Sequence, residues 1–101
     1  MINPISEIQI IPIKPKDGLL AFCSFVLFES MYCSSIGLFT RPSGGYRLVY
    51  PKKRVGLKDI DIYYPINREI GSFIEEEVTK VFKDVMNNGR YNIAHVKWKR
   101  I

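Results

Sequence analysis

Residues 19–28, LLAFCSFVLF, are apolar at odd and even positions alike. A run with two apolar faces is typical of a β-strand that is buried on both sides of a sheet. The run is also far shorter than the roughly 20 residues that a helix needs to cross a bilayer, so no membrane span is expected. The segment therefore predicts a central strand, and its neighbours indicate how the rest of the domain is built.

Four further segments carry strand patterns. They lie at residues 5–14, 31–39, 46–50 and 59–64. The first is expected at the edge of the sheet, because Pro12 lacks the N–H group that a central strand needs. The tetrapeptide PKDG at residues 15–18 predicts the turn into the central strand, since proline and glycine favour the dihedral angles of a tight turn.

The apolar period changes after Pro65. From there, apolar residues recur at spacings of three and four, which is one face of an amphipathic helix. They are Ile70, Phe73, Ile74, Val78, Val81, Phe82 and Val85. Asn67 is the expected N-cap, and the sequence Asn-Asn-Gly at residues 87–89 predicts the end of the helix.

These elements predict one α+β domain over residues 1–101, with an antiparallel β-meander of about five strands followed by one long amphipathic helix. Residues 94–99 alternate as well and predict a short C-terminal strand, with a frayed tail as the alternative. One helix covers only one face of a sheet. We therefore expect a homodimer, in which a second copy covers the other face, and a sheet curled onto its own core is the alternative.

Composition and cysteine content bear on the class of protein. A hydrophobic fraction of 47% with 13% aromatic residues excludes intrinsic disorder. The first four residues lack the basic segment of a secretory signal, so a cytoplasmic location is expected. Cys23 and Cys33 lie in apolar strand patterns and are expected to be buried free thiols, with a disulfide as the less favoured alternative.

Residue patterns that would support catalysis are sparse. His95 is the only histidine, and its neighbours include no carboxylate. The consecutive residues 75–77 are all glutamate, but successive side chains on a helix diverge and do not surround one metal ion. The segment Ser43-Gly44-Gly45 lacks the spacing of a phosphate-binding loop. We therefore expect no enzymatic activity, no metal, no cofactor and no small-molecule substrate.

The strongest functional signal is the charge of residues 41–58, which carry six basic side chains and no acidic one. Glycine and proline residues predict a loop or hairpin here, and exposed cations suit the phosphates of a nucleic acid. The candidate contacts in this segment are Arg41, Arg47, Lys52, Lys53, Arg54 and Lys58. Adjacent cations at 52–54 would meet phosphates together. Lysines that only block edge-to-edge aggregation are the structural alternative.

Two tyrosines lie within the same region. Tyr46 and Tyr50 would offer stacking surfaces to unpaired bases if their rings were exposed. Tyrosines in strands more often pack against residues of a neighbouring strand. We favour that packing role for Tyr50.

The order of these motifs resembles a known family. Strand-turn-strand is followed by Tyr50-Pro51-Lys52-Lys53-Arg54, then Asp59-Ile60, then Tyr64-Pro65-Ile66-Asn67 and a helix. This order resembles the stage V sporulation protein G (SpoVG) family of septation proteins, from about Ile5 to Val85. The most specific parts are residues 51–54 and 65–67 at their separation.

The resemblance implies a small α+β dimer in the bacterial cytoplasm that binds DNA and RNA and modulates gene expression, with effects on sporulation and septum formation. Residues 52–54 match the basic run of the family. Arg68 lies at the helix start, a region that the family links to nucleic-acid contact. The chain departs from the family in an acidic helix start, with Glu69 and residues 75–77, and in a basic tail that contains Lys97, Lys99 and Arg100.

Two functional hypotheses follow. The first is a dimeric regulator that binds DNA or RNA with low sequence specificity. The second is a protein-interaction module at the division site, whose basic segment binds an acidic partner. The two hypotheses differ in the response of binding to salt and to competing nucleic acid.

Overall fold

The computed structural model describes residues 4–87. It contains seven elements in chain order: β1 (Ile5–Lys16), β2 (Leu19–Leu27), β3 (Met31–Thr40), β4 (Tyr46–Val49), β5 (Lys52–Val55), β6 (Lys58–Asp61) and α1 (Arg68–Asn87). The predicted α+β class is confirmed. The predicted strand at 94–99, His95 and the basic tail lie outside the described residues.

The main sheet has four antiparallel strands in the order β1-β2-β3-β4. Residues 19–27 of the apolar segment therefore form the inner strand β2, and β1 with its Pro12 lies at an edge, as predicted, while Phe28 lies beyond the strand with a φ of 50°. The turn between them contains Asp17 and Gly18, with φ of 52° and 88°. Two positive φ values in a two-residue loop are typical of the type I′ turn that suits the twist of a hairpin.

One face of this sheet, here called the inner face, packs against α1. Ala21, Phe25 and Leu38 are completely buried on the sheet side, and Ile74 and Val78 are buried on the helix side. The predicted apolar stripe of the helix thus forms the core. The core also takes in both cysteines, which are free and buried, as predicted.

The N-cap of the helix is the predicted one. The side-chain oxygen of Asn67 accepts a hydrogen bond from the backbone N–H of Ile70 at 3.0 Å. The backbone carbonyl of Asn67 accepts the first helical bond, from Gly71, also at 3.0 Å. The side chain of Asn67 therefore satisfies one of the backbone donors that have no partner within the helix, and its carbonyl begins the regular helical bonding.

The opposite face, here called the outer face, is also apolar. Ile11, Phe22, Gly37 and Val49 are successive partners across the four strands. A Cβ atom on Gly37 would lie 2.8 Å from the Phe39 ring, so this ring lies against the Gly37 backbone on the outer face. Within residues 4–87, α1 is the only helix, and it lies on the inner face. The two apolar faces of β2 thus have different surroundings. The inner face packs against α1, whereas within residues 4–87 no helix covers the outer face.

The predicted meander of about five strands is wrong in one respect. The basic segment 41–58 is expected to form a loop or hairpin, and the strand after it is expected to join the main sheet as its fifth strand. Instead β5 and β6 pair with each other in a separate two-stranded sheet, here called the ribbon. The physical reason is the turn at Gly56 and Leu57. With φ of +62° at Gly56, a two-residue loop folds the basic segment directly onto the strand that follows it.

Candidate nucleic-acid interface

The ribbon is exposed along its whole length. Every residue from 52 to 61 is exposed, on both faces and at the turn. The ladder continues by one bond toward the body of the protein, where the N–H of Ile62 donates to the carbonyl of Pro51 at 3.0 Å. Four of the seven predicted contact residues lie on this ribbon: Lys52, Lys53, Arg54 and Lys58. A surface-exposed arm of this kind is accessible to a large partner.

One face of the ribbon is neutralised by cross-strand ion pairs. Lys52 lies opposite Asp61, with Nζ 3.4 Å from the carboxylate, and Arg54 lies opposite Asp59 at the same distance. Both pairs are exposed, so each contributes at most about 1 kcal/mol to stability. Their larger effect is on the surface potential, because each carboxylate cancels the charge of the cation beside it. We call this side the paired face.

The other face carries charge that is not cancelled locally. Lys53 lies opposite Ile60, and Val55 lies opposite Lys58. Among residues 4–87, neither of these lysines has a carboxylate partner. Val55 and Ile60 are half exposed between them. This side, here called the lysine face, therefore combines two ammonium groups that are unpaired within residues 4–87 with two apolar side chains.

This geometry corrects the expectation that residues 52–54 act as one cluster. Successive residues of a strand point to opposite faces, so Lys53 points away from Lys52 and Arg54. Adjacency in sequence is not adjacency on the surface of a strand. The lysine that does share a face with Lys53 is Lys58, on the partner strand.

Arg41 and Arg68 lie at a second place, beside the start of the helix. Both line a groove of about 380 Å³, together with Tyr64 and Asn67. The charge of Arg41 is already engaged, since its Nη2 lies 2.9 Å from the carboxylate of Glu75. The other carboxylate oxygen of Glu75 accepts a bond from the backbone N–H of Leu48 at 3.3 Å. Glu75 therefore ties α1 to β4, and the groove has a lower positive charge than its arginines suggest.

Arg47 lies at a third place. It pairs with Phe39 across β3 and β4, and its guanidinium carbon is 5.7 Å from the centroid of that ring. This cation–π contact puts Arg47 on the outer face of the main sheet. The seven predicted residues are thus divided among the ribbon, the helix start and the outer face.

The two tyrosines considered for base stacking are held by other aromatic rings. Tyr46 packs edge-to-face on Phe82, with centroids 5.4 Å apart, and Tyr50 packs edge-to-face on Tyr63 at 5.8 Å. Tyr50 thus packs against the core as expected, although its partner Tyr63 lies between β6 and α1 and not on a neighbouring strand. Burial raises the pKa of Tyr63 to about 12, and its hydroxyl donates to the carbonyl of Ser34 at 2.7 Å. These rings pack in or against the core. Tyr46 and Tyr50 are therefore not available as stacking surfaces for a nucleic-acid base.

Across residues 4–87, no three side chains of histidine, cysteine, aspartate or glutamate are grouped so that they would hold a metal ion. The same part of the chain contains no helix with the length and apolar character that crossing a membrane requires.

The sequence also contains local signals for the ribbon. Glycine followed by one residue is a known two-residue hairpin turn, and Gly56-Leu57 stands between two strand-length segments, KKRV and KDID. Pairing these segments through that turn puts Asp59 and Asp61 opposite two of the cations. The distribution of charge between the faces follows directly from that register.

No protein-family model matches this chain, and a search of curated proteins finds no significant match.

Proposed function

We propose that this protein is a small dimeric DNA- or RNA-binding regulator of the SpoVG type, acting in the bacterial cytoplasm on gene expression, with septation and sporulation as the associated processes. The proposal combines the motif order around residues 51–67 with the exposed basic ribbon. Phosphate contact would be made through the lysine face, with Arg68 at the helix start as a supporting contact.

The observation that carries this proposal is the lysine face itself. Lys53 and Lys58 lie on one side of an exposed arm, and within the described residues no acidic group neutralises them. Ammonium groups that keep their full charge attract phosphates and displace the counterions around a nucleic acid. Lys52 and Arg54 support the proposal less, because a phosphate must compete with Asp61 and Asp59 for them.

The outer face supports the dimer. It bears the large apolar side chains Phe22 and Phe39 on a four-stranded sheet whose helix is on the other side. A second copy with the same surface would cover it through a twofold contact. Light scattering should report about twice the mass of one chain at micromolar concentration and above. A single-chain mass under those conditions would remove the dimer from the proposal.

The test of nucleic-acid binding is a titration of labelled duplex DNA, single-stranded DNA and RNA at several salt concentrations. We expect binding that weakens steeply as salt increases, since phosphate contacts dominate the affinity. Binding that is absent at low salt for all three ligands would contradict the proposal.

The second candidate, a protein-interaction module at the division site, has one observation in its favour. Val55, Leu57 and Ile60 are exposed on the ribbon, and apolar groups are common at protein interfaces. A partner captured by the ribbon that is not displaced by excess duplex or RNA would favour this candidate over the regulator.

A further inference from the structure

The tip of the ribbon presents a large apolar side chain to solvent. Leu57 is 92% exposed and occupies the second position of the two-residue turn. A single exposed leucine elsewhere on a surface would need no explanation. Here the side chain is at the end of an arm whose residues 52–61 are all exposed, so it is the first apolar group that a surface meets when it approaches the arm end-on.

The tip is held by a specific set of contacts. The Nε of Arg54 donates to the carbonyl of Gly56 at 3.2 Å, and its Nη1 lies 3.4 Å from the carboxylate of Asp59. One guanidinium thus joins the turn to both strands. Because the turn is already fixed in this shape, little conformational entropy is lost when Leu57 enters a confined site.

The surroundings of Leu57 identify the kind of partner. Lys58 follows it directly, and Lys53 lies further along the same face, with Val55 and Ile60 between the two lysines. An apolar tip flanked by cations is complementary to a nucleic-acid groove, in which a stacked apolar interior lies between two rows of phosphates. Proteins that kink DNA insert apolar wedges of this type between base pairs while basic residues contact the backbone.

We infer that Leu57 is an intercalating wedge, which enters a base step of duplex DNA from the minor-groove side and bends the duplex while Lys53 and Lys58 contact the flanking phosphates. The inference rests on the proposed nucleic-acid-binding function. It adds that the protein deforms duplex DNA and prefers steps that unstack easily, such as TA and CA.

The experiment uses the full chain and a duplex of about 30 base pairs with a central TA step. A donor and an acceptor dye at the two ends report bending, and a 2-aminopurine at the step reports unstacking. Anisotropy titrations at several salt concentrations report affinity. The variant is Leu57→Ala, and the matched control is Ile66→Ala, which removes an equally exposed apolar side chain outside the ribbon.

For the wild type and for Ile66→Ala we expect energy transfer and 2-aminopurine fluorescence to increase on binding. For Leu57→Ala we expect both signals to be lost, with an affinity change of less than about tenfold and an unchanged salt dependence, since the phosphate contacts remain. Circular dichroism should show the same fold for all three proteins, because both residues are exposed.

Three outcomes would overturn the wedge and leave salt-dependent binding standing. They are a wild type that binds duplex without bending it, a Leu57→Ala variant that bends it fully, and binding confined to single strands. A loss of dimer mass in Leu57→Ala would also overturn the wedge, since it would place the leucine between protein copies. If the wild type binds no nucleic acid, the proposed function fails and the wedge fails with it.

Discussion

Replacing the two kinds of ribbon lysine should have different effects on nucleic-acid binding. Lys53 has no carboxylate partner within the described chain, whereas Lys52 is paired with Asp61 at 3.4 Å. Lys53→Ala removes a full charge from the lysine face. Lys52→Ala removes the same side chain from the paired face. The second variant is therefore a matched control for the first, one residue away on the same strand.

The magnitude follows from the count of free lysines. Counting the lysine face alone and leaving out the supporting Arg68, two lysines per protomer give about four phosphate contacts in a dimer, and a contribution of about −0.9 per contact gives a log–log salt slope of roughly −3.6 on duplex DNA. Between 50 and 200 mM salt, the wild type should then lose about 150-fold in affinity. Lys53→Ala leaves about two contacts, so its slope should be roughly −1.8 and its loss about 12-fold. The slope of Lys52→Ala should stay close to that of the wild type.

The assay is a fluorescence anisotropy titration of one labelled duplex at five or more salt concentrations, repeated with an unrelated sequence. Phosphate contacts carry no base information, so the slopes should agree between the two duplexes. If Lys52→Ala and Lys53→Ala made the salt slope shallower by the same amount, the assignment of the phosphate contacts to the lysine face would be refuted. A wild-type slope shallower than about −1 would refute the phosphate count altogether.

Three further outcomes are expected. The double variant Asp59→Asn, Asp61→Asn should bind duplex DNA more tightly and with a steeper salt slope, because Lys52 and Arg54 lose their competing carboxylates. Anisotropy isotherms identical to those of the wild type would count against this. Asn67→Ala removes the helix N-cap and should lower the free energy of unfolding by about 1 kcal/mol in a urea titration, whereas Asn67→Asp should retain it. Cys23 should resist alkylation in the native state and react after unfolding, because burial raises its pKa from 9.0 to about 12. Since the folded thiol stays neutral where the unfolded thiol ionises, the contribution of Cys23 to stability should be constant below about pH 9 and should fall between pH 9 and 12, so the alkaline loss of stability should be smaller in Cys23→Ala.

The main sheet and the helix could be predicted because their signals are local and redundant. The inner strand is apolar on both faces, Pro12 is compatible only with an edge, and Asn67 stands where the helical period begins. Each of these features is decided by neighbours in the sequence. Pairing across the sheet then follows from short turns, which leave few alternative arrangements for consecutive strands.

The candidate site was harder to predict because surface charge depends on register. Within residues 41–58 every charged side chain is positive, and along the chain they form one uninterrupted basic segment. Folding brings Asp59 and Asp61 opposite Arg54 and Lys52, and it brings Glu75 of the helix to Arg41. These three carboxylates come from outside the basic segment, one of them from 34 positions away in the chain. A charge count over the segment alone therefore overestimates its field.

The turn at Gly56-Leu57 is the feature that links the fold of the ribbon to its proposed function. A two-residue loop sets Val55 opposite Lys58, and every pair behind it follows from that register. The register places both acidic residues of β6 opposite Lys52 and Arg54, so one face becomes neutral and the other keeps both of its lysines. If the strands slipped by one position, each aspartate would move to the lysine face, because a slip of one exchanges the two sides of a strand. The same turn puts Leu57 at the tip. Charge separation between the faces and exposure of the apolar tip are thus two consequences of one local backbone geometry, and a binding arm with both properties depends on keeping that turn at two residues.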